Sequence, residues 1–463
     1  MFGQGAGVTS GRPYARAATI LLLCGSFAVP AAAQRAAGDD DPLVNSAAEP
    51  VGGLGSILGA GVGVLVKGLR IEGRVRTLYE SNIRRLGVGF RQNGDQLSDF
   101  RISPSVTVSN VLAVGRQQIY VEGEYGRDFY VRNTQLDRNR YGVSGGVNAR
   151  VGNFCTGTVG GSFRSRQSLL SEASIQGSNV IESTNFAASA NCQRAVGIGF
   201  GVNASHDKRD NKDTARELFD SRTNTFGGNL SYTLPVLGTV SLGGSYADVD
   251  YPSRTTLIAS GGAPMVSGDG VDIYSGNLGY RRSIGPRLTV NVGGSYYVAK
   301  PKPSETIILV PTPIGFIVVP QRRADFSGAG YVVGVAYRPS PRLTADIRAA
   351  RDISQSSSVG ALFVVRDSFG VDLGYKLGPS INTGIGATYD IRRYRNAFAS
   401  TEERFPRVRD NIGRVYARVG YAPRRLFDLD FEVAHQKRDS NPSAYNFSST
   451  SAALTLRVKF GRG

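Results

Sequence analysis

The sequence predicts an all-β fold, a transmembrane antiparallel up-and-down β-barrel, and three observations carry that expectation. Short segments of alternating apolar and polar residues recur from about Leu69 to Phe460. The connections between them switch regularly between very short and long. An export signal precedes them all.

The alternation is clearest from Val196 to Ser205, where Val196, Ile198, Phe200, Val202 and Ala204 alternate with Gly197, Gly199, Gly201, Asn203 and Ser205. Leu288 to Tyr296 and Ile381 to Ile391 repeat it. Period two means strand, because successive strand side chains point to opposite faces. The polar faces carry Arg, Glu, Asp and Asn along the whole chain, and no separate apolar segments exist to cover so many greasy faces. Lipid can cover them, and a sheet in lipid must then close so that no backbone group is left unpaired.

The start of the chain supplies the address. Arg12 and Arg16 precede an apolar run from Ala17 to Val29, then Pro30 and Ala31-Ala32-Ala33 before Gln34. That layout is a secretory signal peptide over residues 1–33, cut after Ala33. The run is too short for a membrane helix, which needs roughly 20 residues. Cys24 does not make a lipoprotein site, because Leu23 stands where a small residue is needed. The expected destination is the bacterial outer membrane.

Composition agrees. The chain is 41% hydrophobic with a mean hydropathy of −0.16, as expected of a barrel whose strands each turn one face to water. With no Trp, the aromatic girdles must come from the 21 Tyr and 21 Phe. A net charge of +17 fits attraction to an acidic outer leaflet and its lipopolysaccharide. Export removes the chain from nucleic acid, so that class of partner is excluded.

Strands are expected near 70–79, 99–108, 117–131, 138–151, 155–167, 184–194, 196–208, 221–234 and 239–251. The series continues near 271–283, 287–299, 323–338, 342–354, 367–377, 380–394, 409–421, 425–438 and 447–460. The count is eighteen, with sixteen as the competing count if Thr184–Arg194 and Leu69–Tyr79 do not form. Gly152-Asn153-Phe154, Pro235 to Gly238, Gly285-Pro286, Ser340-Pro341, Gly378-Pro379 and Ala422-Pro423 supply tight turns at one end. Ser81 to Ser98, Ser253 to Gly270, Pro301 to Arg322 and Asn396 to Val408 read as longer polar stretches at the other. Short periplasmic and long extracellular connections are the pattern of outer-membrane barrels.

After loss of Cys24 only Cys155 and Cys192 remain, with matching face parity at the two ends of one hairpin. Pairing them sets 159 opposite 188 and 163 opposite 184, one consistent register, and a disulfide near the periplasmic rim is expected. The exported compartment allows it.

Several landmarks resemble the β-barrel porin type 2 family. They are Tyr79-Glu80-Ser81-Asn82-Ile83, similar to a Tyr-x-Asp-Asn-Ile element with Ser81 in place of Asp, then Asp99-Phe100-Arg101-Ile102-Ser103-Pro104, Arg438-Asp439-Ser440-Asn441 and Tyr445-Asn446-Phe447. The resemblance spans nearly all of residues 70–460. It implies an outer-membrane barrel, with a family link to exopolysaccharide production and hence to polysaccharide-export components as partners. In the last strand Leu454, Leu456, Val458 and Phe460 resemble the terminal signal that barrel-assembly machinery takes up by β-augmentation.

The face opposite lipid carries the candidate lumen residues: Arg70, Glu72, Arg74 and Arg76, then Arg101, then Glu122 and Glu124, and late in the chain Arg414, Arg418, Asp428, Asp430 and Glu432. Opposite charges pairing across strands would make an ordinary hydrated wall. Arg-rich strands meeting near the seam would bias passage toward anionic solutes or acidic glycans. An enzyme is not expected: the only histidines, His206 and His435, sit with lipid-side parity and precede no serine motif. The stretch His206 to Asp213 mixes acids with Lys and Arg and reads as a solvated loop, not a calcium site. Gly197 to Gly201 lies within a strand and precedes no helix, so it is no phosphate loop. No metal or cofactor is expected.

Residues 34–68 form a separate segment ahead of the barrel at 69–463. Gln34 to Pro50 is small and acidic, and Val51 to Val66 is apolar and glycine-rich. The segment could fold into the lumen, cover the periplasmic mouth or bind a partner. Three function classes follow from the sequence: a porin-like channel for hydrophilic solutes, a non-conducting scaffold for glycan export and, less favoured, an outer-membrane lipid hydrolase with a histidine at the rim.

Overall fold

A computed structural model describes residues 68–167, 179–260, 263–312, 315–355, 361–395, 408–424 and 426–460. The expected signal peptide, the segment 34–67, the 171–178 connection and the last three residues lie outside the described residues. Twenty strands follow in chain order. β1 Gly68–Glu80, β2 Asp99–Val114, β3 Gln117–Tyr130, β4 Arg138–Val151 and β5 Cys155–Gln167 come first. β6 Val180–Cys192, β7 Gly197–Asn211, β8 Ser221–Leu234, β9 Gly238–Ser260 and β10 Ala263–Ile284 continue the wall. Next are β11 Leu288–Lys302, β12 Glu305–Thr312, β13 Gly315–Arg322, β14 Phe326–Tyr337 and β15 Leu343–Gln355. β16 Phe363–Lys376, β17 Ile381–Arg395, β18 Arg409–Arg424, β19 Phe427–Asn441 and β20 Phe447–Phe460 complete it.

Eighteen strands form one antiparallel sheet, and β12 with β13 forms a separate hairpin. β1 pairs with both β2 and β20, so the sheet is closed. Both strands on which the count turned, β1 and β6, are present. Exposed apolar side chains such as Ile198, Val202, Leu230, Leu242 and Ile385 stand on the outer face. Exposed aromatics edge that band at the short-turn end (Phe154, Tyr232, Tyr280, Tyr337, Tyr375, Tyr421) and at the other (Tyr125, Phe186, Phe226, Tyr274, Phe369, Tyr389). An apolar band between two aromatic girdles is the lipid-facing surface of a membrane barrel.

Four expectations about connections are corrected. Pro301 to Arg322 is not a polar loop: Ile307 to Val310 pairs with Ile317 to Pro320 in β12–β13, a β-branched run interrupted by prolines. Ser253 to Gly270 is largely strand, because β9 and β10 continue past the barrel with a register shift between Gly268 and Asp269. His206 to Asn211 belongs to β7 rather than to a loop. Ala422-Pro423 ends β18, in an irregularity between Tyr421 and Arg424.

Cys155 and Cys192 are joined by a disulfide. Cys155 opposes Cys192, Val159 opposes Ala188 and Phe163 opposes Thr184, the register that the cysteines predicted. The wall beside this hairpin is held by tyrosine lying on glycine. Tyr120 faces the lumen, and a Cβ on Gly146 or Gly160 in the two neighbouring strands would stand 2.7 or 2.6 Å from its hydroxyl. Tyr416 over Gly386 and Tyr297 over Gly330 repeat the arrangement.

The upper ends of β15 and β16 leave the wall. The β14–β15 ladder stops at Tyr331–Arg351 after seven pairs, the shortest in the barrel. β14 nevertheless continues with β11 to Phe326, and β15 with β16 to Gln355–Phe363. Ile353, Phe363 and Val365 share the parity of the exposed Ile347, Phe369 and Val371, yet they are buried against Val249, Val271 and Ala299, which face the lumen from β9, β10 and β11. The top of the β15–β16 hairpin is therefore turned inward, its outer face packed on the inner face of its neighbours.

Two measurements test this packing. Gly160→Ala is expected to lower the unfolding free energy by about 1–3 kcal/mol through overpacking, while Gly73→Ala, whose Cβ meets nothing within 4 Å, leaves it unchanged in urea titrations of vesicle-inserted protein. The Cys155→Ser/Cys192→Ser variant is expected to fold and remain heat-modifiable on gels, with its unfolding free energy reduced by about 2–4 kcal/mol.

Candidate functional site: the charged lumen

The inner wall over β15 to β20 and β1 is a file of charged side chains whose pairing changes along the barrel. Near the extracellular end the charges satisfy one another. Arg438 and the Tyr394 hydroxyl, the latter at 2.7 Å, both donate to Oδ2 of Asp410, which is fully buried. Arg366 makes a bidentate contact with Asp390 at 3.0 Å. Lower down, Arg414 donates to Glu432 at 2.7 Å, with both side chains buried. Asp372 accepts from Tyr416 and, at 2.6 Å, from Arg348.

Toward the short-turn end the balance breaks. A concavity of about 390 Å³ is lined by eight Lys or Arg side chains against three carboxylates. Glu72 is shared by Arg70 and Arg74, each at 3.3 Å. Arg457 pairs with Asp430 at 2.7 Å, and Lys459 with Asp428. Arg342, Lys376 and Arg418 line the same concavity with no acidic partner among the described residues. Arg342 sits in the turn just before β15, Lys376 ends β16 at the same short turns, and Arg418 lies on β18. Lone cations in a water-filled lumen keep their field instead of cancelling it within the wall.

The structure brings most of the sequence candidates to this wall. Arg70, Glu72, Arg74, Arg76, Arg418, Asp430 and Glu432 all line the concavity, and Asp428 reaches it through Lys459. Arg414 stands one turn of the alternation above. Arg101 reaches Tyr130 Oη at 3.5 Å, and Glu124 lies 3.8 Å from Arg140. Glu122 shares the lumen parity of Glu124, so the β2–β4 side forms a separate group. Sequence reasoning missed Arg342 and Lys376, which lie beside short turns where the alternation that assigns a face runs out. It also missed the carboxylates Asp372, Asp390 and Asp410, whose partners lie on neighbouring strands.

Above the concavity the inturned hairpin narrows the passage. Tyr251 donates its hydroxyl to Leu362 O at 2.7 Å. Arg254 donates to Ala361 O at 3.0 Å and to Leu218 O at 2.6 Å, with its guanidinium 3.9 Å over the Tyr251 ring. One buried arginine thus ties the β7–β8 and β15–β16 connections to β9.

The family landmarks gather at the extracellular seam. Asn82 holds the backbone of Leu86 in both directions at 3.1 Å, and Glu80 accepts from Arg85 and Ser449 at 3.0 Å. Ser81 and Thr450 exchange hydrogen bonds at 2.9 Å. Phe90 packs on Tyr445 with ring centres 4.9 Å apart. Asp99 accepts from the backbone of Arg132 and Asn133 at 2.9 and 2.7 Å, anchoring the next loop. These residues fasten the first loop to the last hairpin. Leu454, Leu456 and Phe460 are exposed on the outer face of β20.

The histidines face outward. His206 Nδ1 meets Asn224 Oδ1 at 2.7 Å, and His435 meets Thr450 Oγ1 at 2.9 Å and Ser448 Oγ at 3.4 Å. Neither has a carboxylate partner of the kind that orients a catalytic imidazole. Among the described residues no group of three His, Cys, Asp or Glu is placed to hold a metal ion.

Residues 320–460 match the family model described as "Putative beta-barrel porin 2". Solved structures similar to this chain include the outer membrane protein opdK from Pseudomonas aeruginosa, at 11% identity and a TM-score of 0.45, covering 85% of this chain and 99% of that one. The siderophore receptor PirA from Pseudomonas aeruginosa is similar at 12% identity and a TM-score of 0.42, covering 86% and 81%. A search of curated proteins found no match. With its family match and its closed, lipid-banded wall, the chain is a porin-like outer-membrane β-barrel.

Arg254→Ala is expected to free the inturned segment without opening the barrel. Leaving the Ala361 and Leu218 carbonyls unpaired costs about 1–3 kcal/mol, so amides of 361–365 should exchange with solvent roughly tenfold faster or more. Amides of β2–β6 should keep their protection.

Proposed function

We propose that this barrel is a bacterial outer-membrane channel for hydrophilic solutes whose lumen favours anions. The observation that carries the reading is the strip Arg342, Lys376 and Arg418, three lumen cations with no acidic partner among the described residues. Basic side chains lining a pore favour anions, and low-dielectric walls focus their field on the passage. The paired charges above them supply hydration and rigidity with little net field. Carboxylated solutes share this chemistry with acidic glycans, and the family resemblance is what links the passage to exopolysaccharide export. Catalysis has no place in the reading, since neither histidine is arranged for it. The exposed apolar residues of β20 suit uptake by the barrel-assembly machinery, and export would follow from the signal peptide.

Planar-bilayer recordings across a salt gradient test the reading. The wild-type protein is expected to show anion preference. An exposed cation contributes about 1 kcal/mol to an anion at about 4 Å in water, so the Arg342→Gln/Lys376→Gln/Arg418→Gln variant should lose that preference several-fold while still conducting. Cation preference in the wild type, or an unmoved reversal potential in the variant, would falsify it.

A further inference from the structure

We propose that the outer wall carries a binding site for a phosphate group of an outer-leaflet glycolipid, built from Arg351, Arg393, Arg395 and Arg409 where β14 and β15 separate. They lie on β15, β17 and β18, on either side of β16, and share the outward parity of Phe369 and Tyr389 in the aromatic girdle. Arg351 and Asp367 stand one alternation above the girdle pair Ala349–Phe369, and Arg393 is two alternations above Tyr389. At about 3.3 Å per residue that is roughly 7–13 Å beyond the edge of the hydrocarbon, the depth of lipid headgroups.

The site is organised by one carboxylate. Asp367, whose side chain is only 3% exposed, accepts from Arg351 Nε at 2.6 Å and Nη2 at 3.2 Å, from Arg393 Nη1 at 2.5 Å, and from the Tyr331 hydroxyl at 3.3 Å. It fixes both guanidiniums yet leaves the side chains 37% and 31% exposed, so donors remain for a ligand. Arg395 lies over the Phe326 ring at 5.4 Å, across the gap between β14 and β15. Arg393 stands directly opposite Arg409 in the ladder, and like charges so placed repel. Arg395 and Arg409 have no carboxylate partner among the described residues; Arg409 reaches only Asn411 Oδ1, at 3.1 Å.

Two guanidiniums share one buried carboxylate, and Arg409 opposite Arg393 and Arg395 opposite Phe363 add to them, which leaves an excess of positive charge at this break in the wall. Planar guanidinium forks match phosphate oxygens two at a time. A bridging phosphate would relieve the Arg393–Arg409 repulsion. The lipid source follows from position, because Arg351, Arg393 and Arg409 share the parity of the lipid-facing girdle and stand above it.

Native mass spectrometry of the full-length mature protein in detergent, after delipidation, tests this. The probes are a bisphosphorylated outer-leaflet glycolipid, the same glycolipid stripped of its phosphates, and inorganic phosphate. The expected result is retention of one phosphorylated glycolipid, with about tenfold weaker retention by Arg395→Gln/Arg409→Gln. Those two residues do not hold Asp367, and heat-modifiable migration confirms that the variant is folded. Arg222→Gln, on the outer face of β8, should retain the lipid like wild type. Equal retention of the phosphate-free glycolipid, equal retention by the double variant, or binding of inorganic phosphate without the glycolipid would each overturn the proposal.

Discussion

A sheet immersed in hydrocarbon must pair every backbone donor and acceptor within itself, and the architecture of this chain follows from that requirement. An edge strand in lipid would expose a row of unsatisfied groups, each costing several kcal/mol. The first and last barrel strands therefore meet, from Ile71–Phe460 to Glu80–Ser451. Closure brings together residues more than 360 positions apart in sequence, such as Glu80 and Ser449, and its entropic cost falls on that seam. The buried contacts of Glu80 and Asn82 with Ser449, and of Arg85 with Glu80, are concentrated where the ladder leaves the membrane. The family landmarks are thus closure residues, and their position near a pore mouth does not make them ligands.

Above the girdle the requirement relaxes, because water can satisfy the backbone. The wall departs from a regular cylinder only there. β9 and β10 continue as a hairpin beyond the wall, β12 and β13 form a second one, and the β14–β15 ladder ends early. Below the girdle the described wall keeps an unbroken register on every strand pair except at the Tyr421–Arg424 irregularity beside a turn. Lipid dictates the regular part, and water permits the rest.

Much of this was legible in the sequence because period two is a local signal. Val196 to Ser205 declares its two faces without knowledge of any neighbour, and eighteen such segments give the wall. Cys155 and Cys192 did more, since a disulfide between segments of known parity fixes a register. Where the sequence misled, the deciding physics was not local. Ile307 to Val310 has strand-forming residues, but prolines and missing alternation concealed a hairpin whose two sides are both off the barrel. Phe363 and Val365 have the parity of lipid-facing residues, and nothing in their own segment says that the wall folds inward at that height. Lumen charges could be assigned to a face but not to partners: Arg414 reads like Arg418 in sequence, yet one meets Glu432 across the ladder and the other meets no carboxylate among the described residues. Register does not set that difference, since Arg418 is the one that stands opposite Glu432; the diagonal reach of Arg414 across the ladder does, and it separates a structural arginine from one available to a solute.

In the proposed channel, size restriction and charge preference belong to opposite ends of the barrel. The inward turn of β15–β16 is possible because β14 releases β15 at Tyr331–Arg351, and the freed apolar outer face finds cover on Val249, Val271 and Ala299. The same release leaves Asp367 buried at the split, where it needs guanidiniums to offset its desolvation. Arg351 and Arg393 supply them. A narrowed upper lumen lined by paired charges can restrict what enters by shape, while the cations at the periplasmic end act on whatever passes. Because the restricting hairpin is tied by hydrogen bonds through its own carbonyls and the cations stand on strands and a short turn at the other end, the two properties can change independently, one through loop contacts and the other through charge.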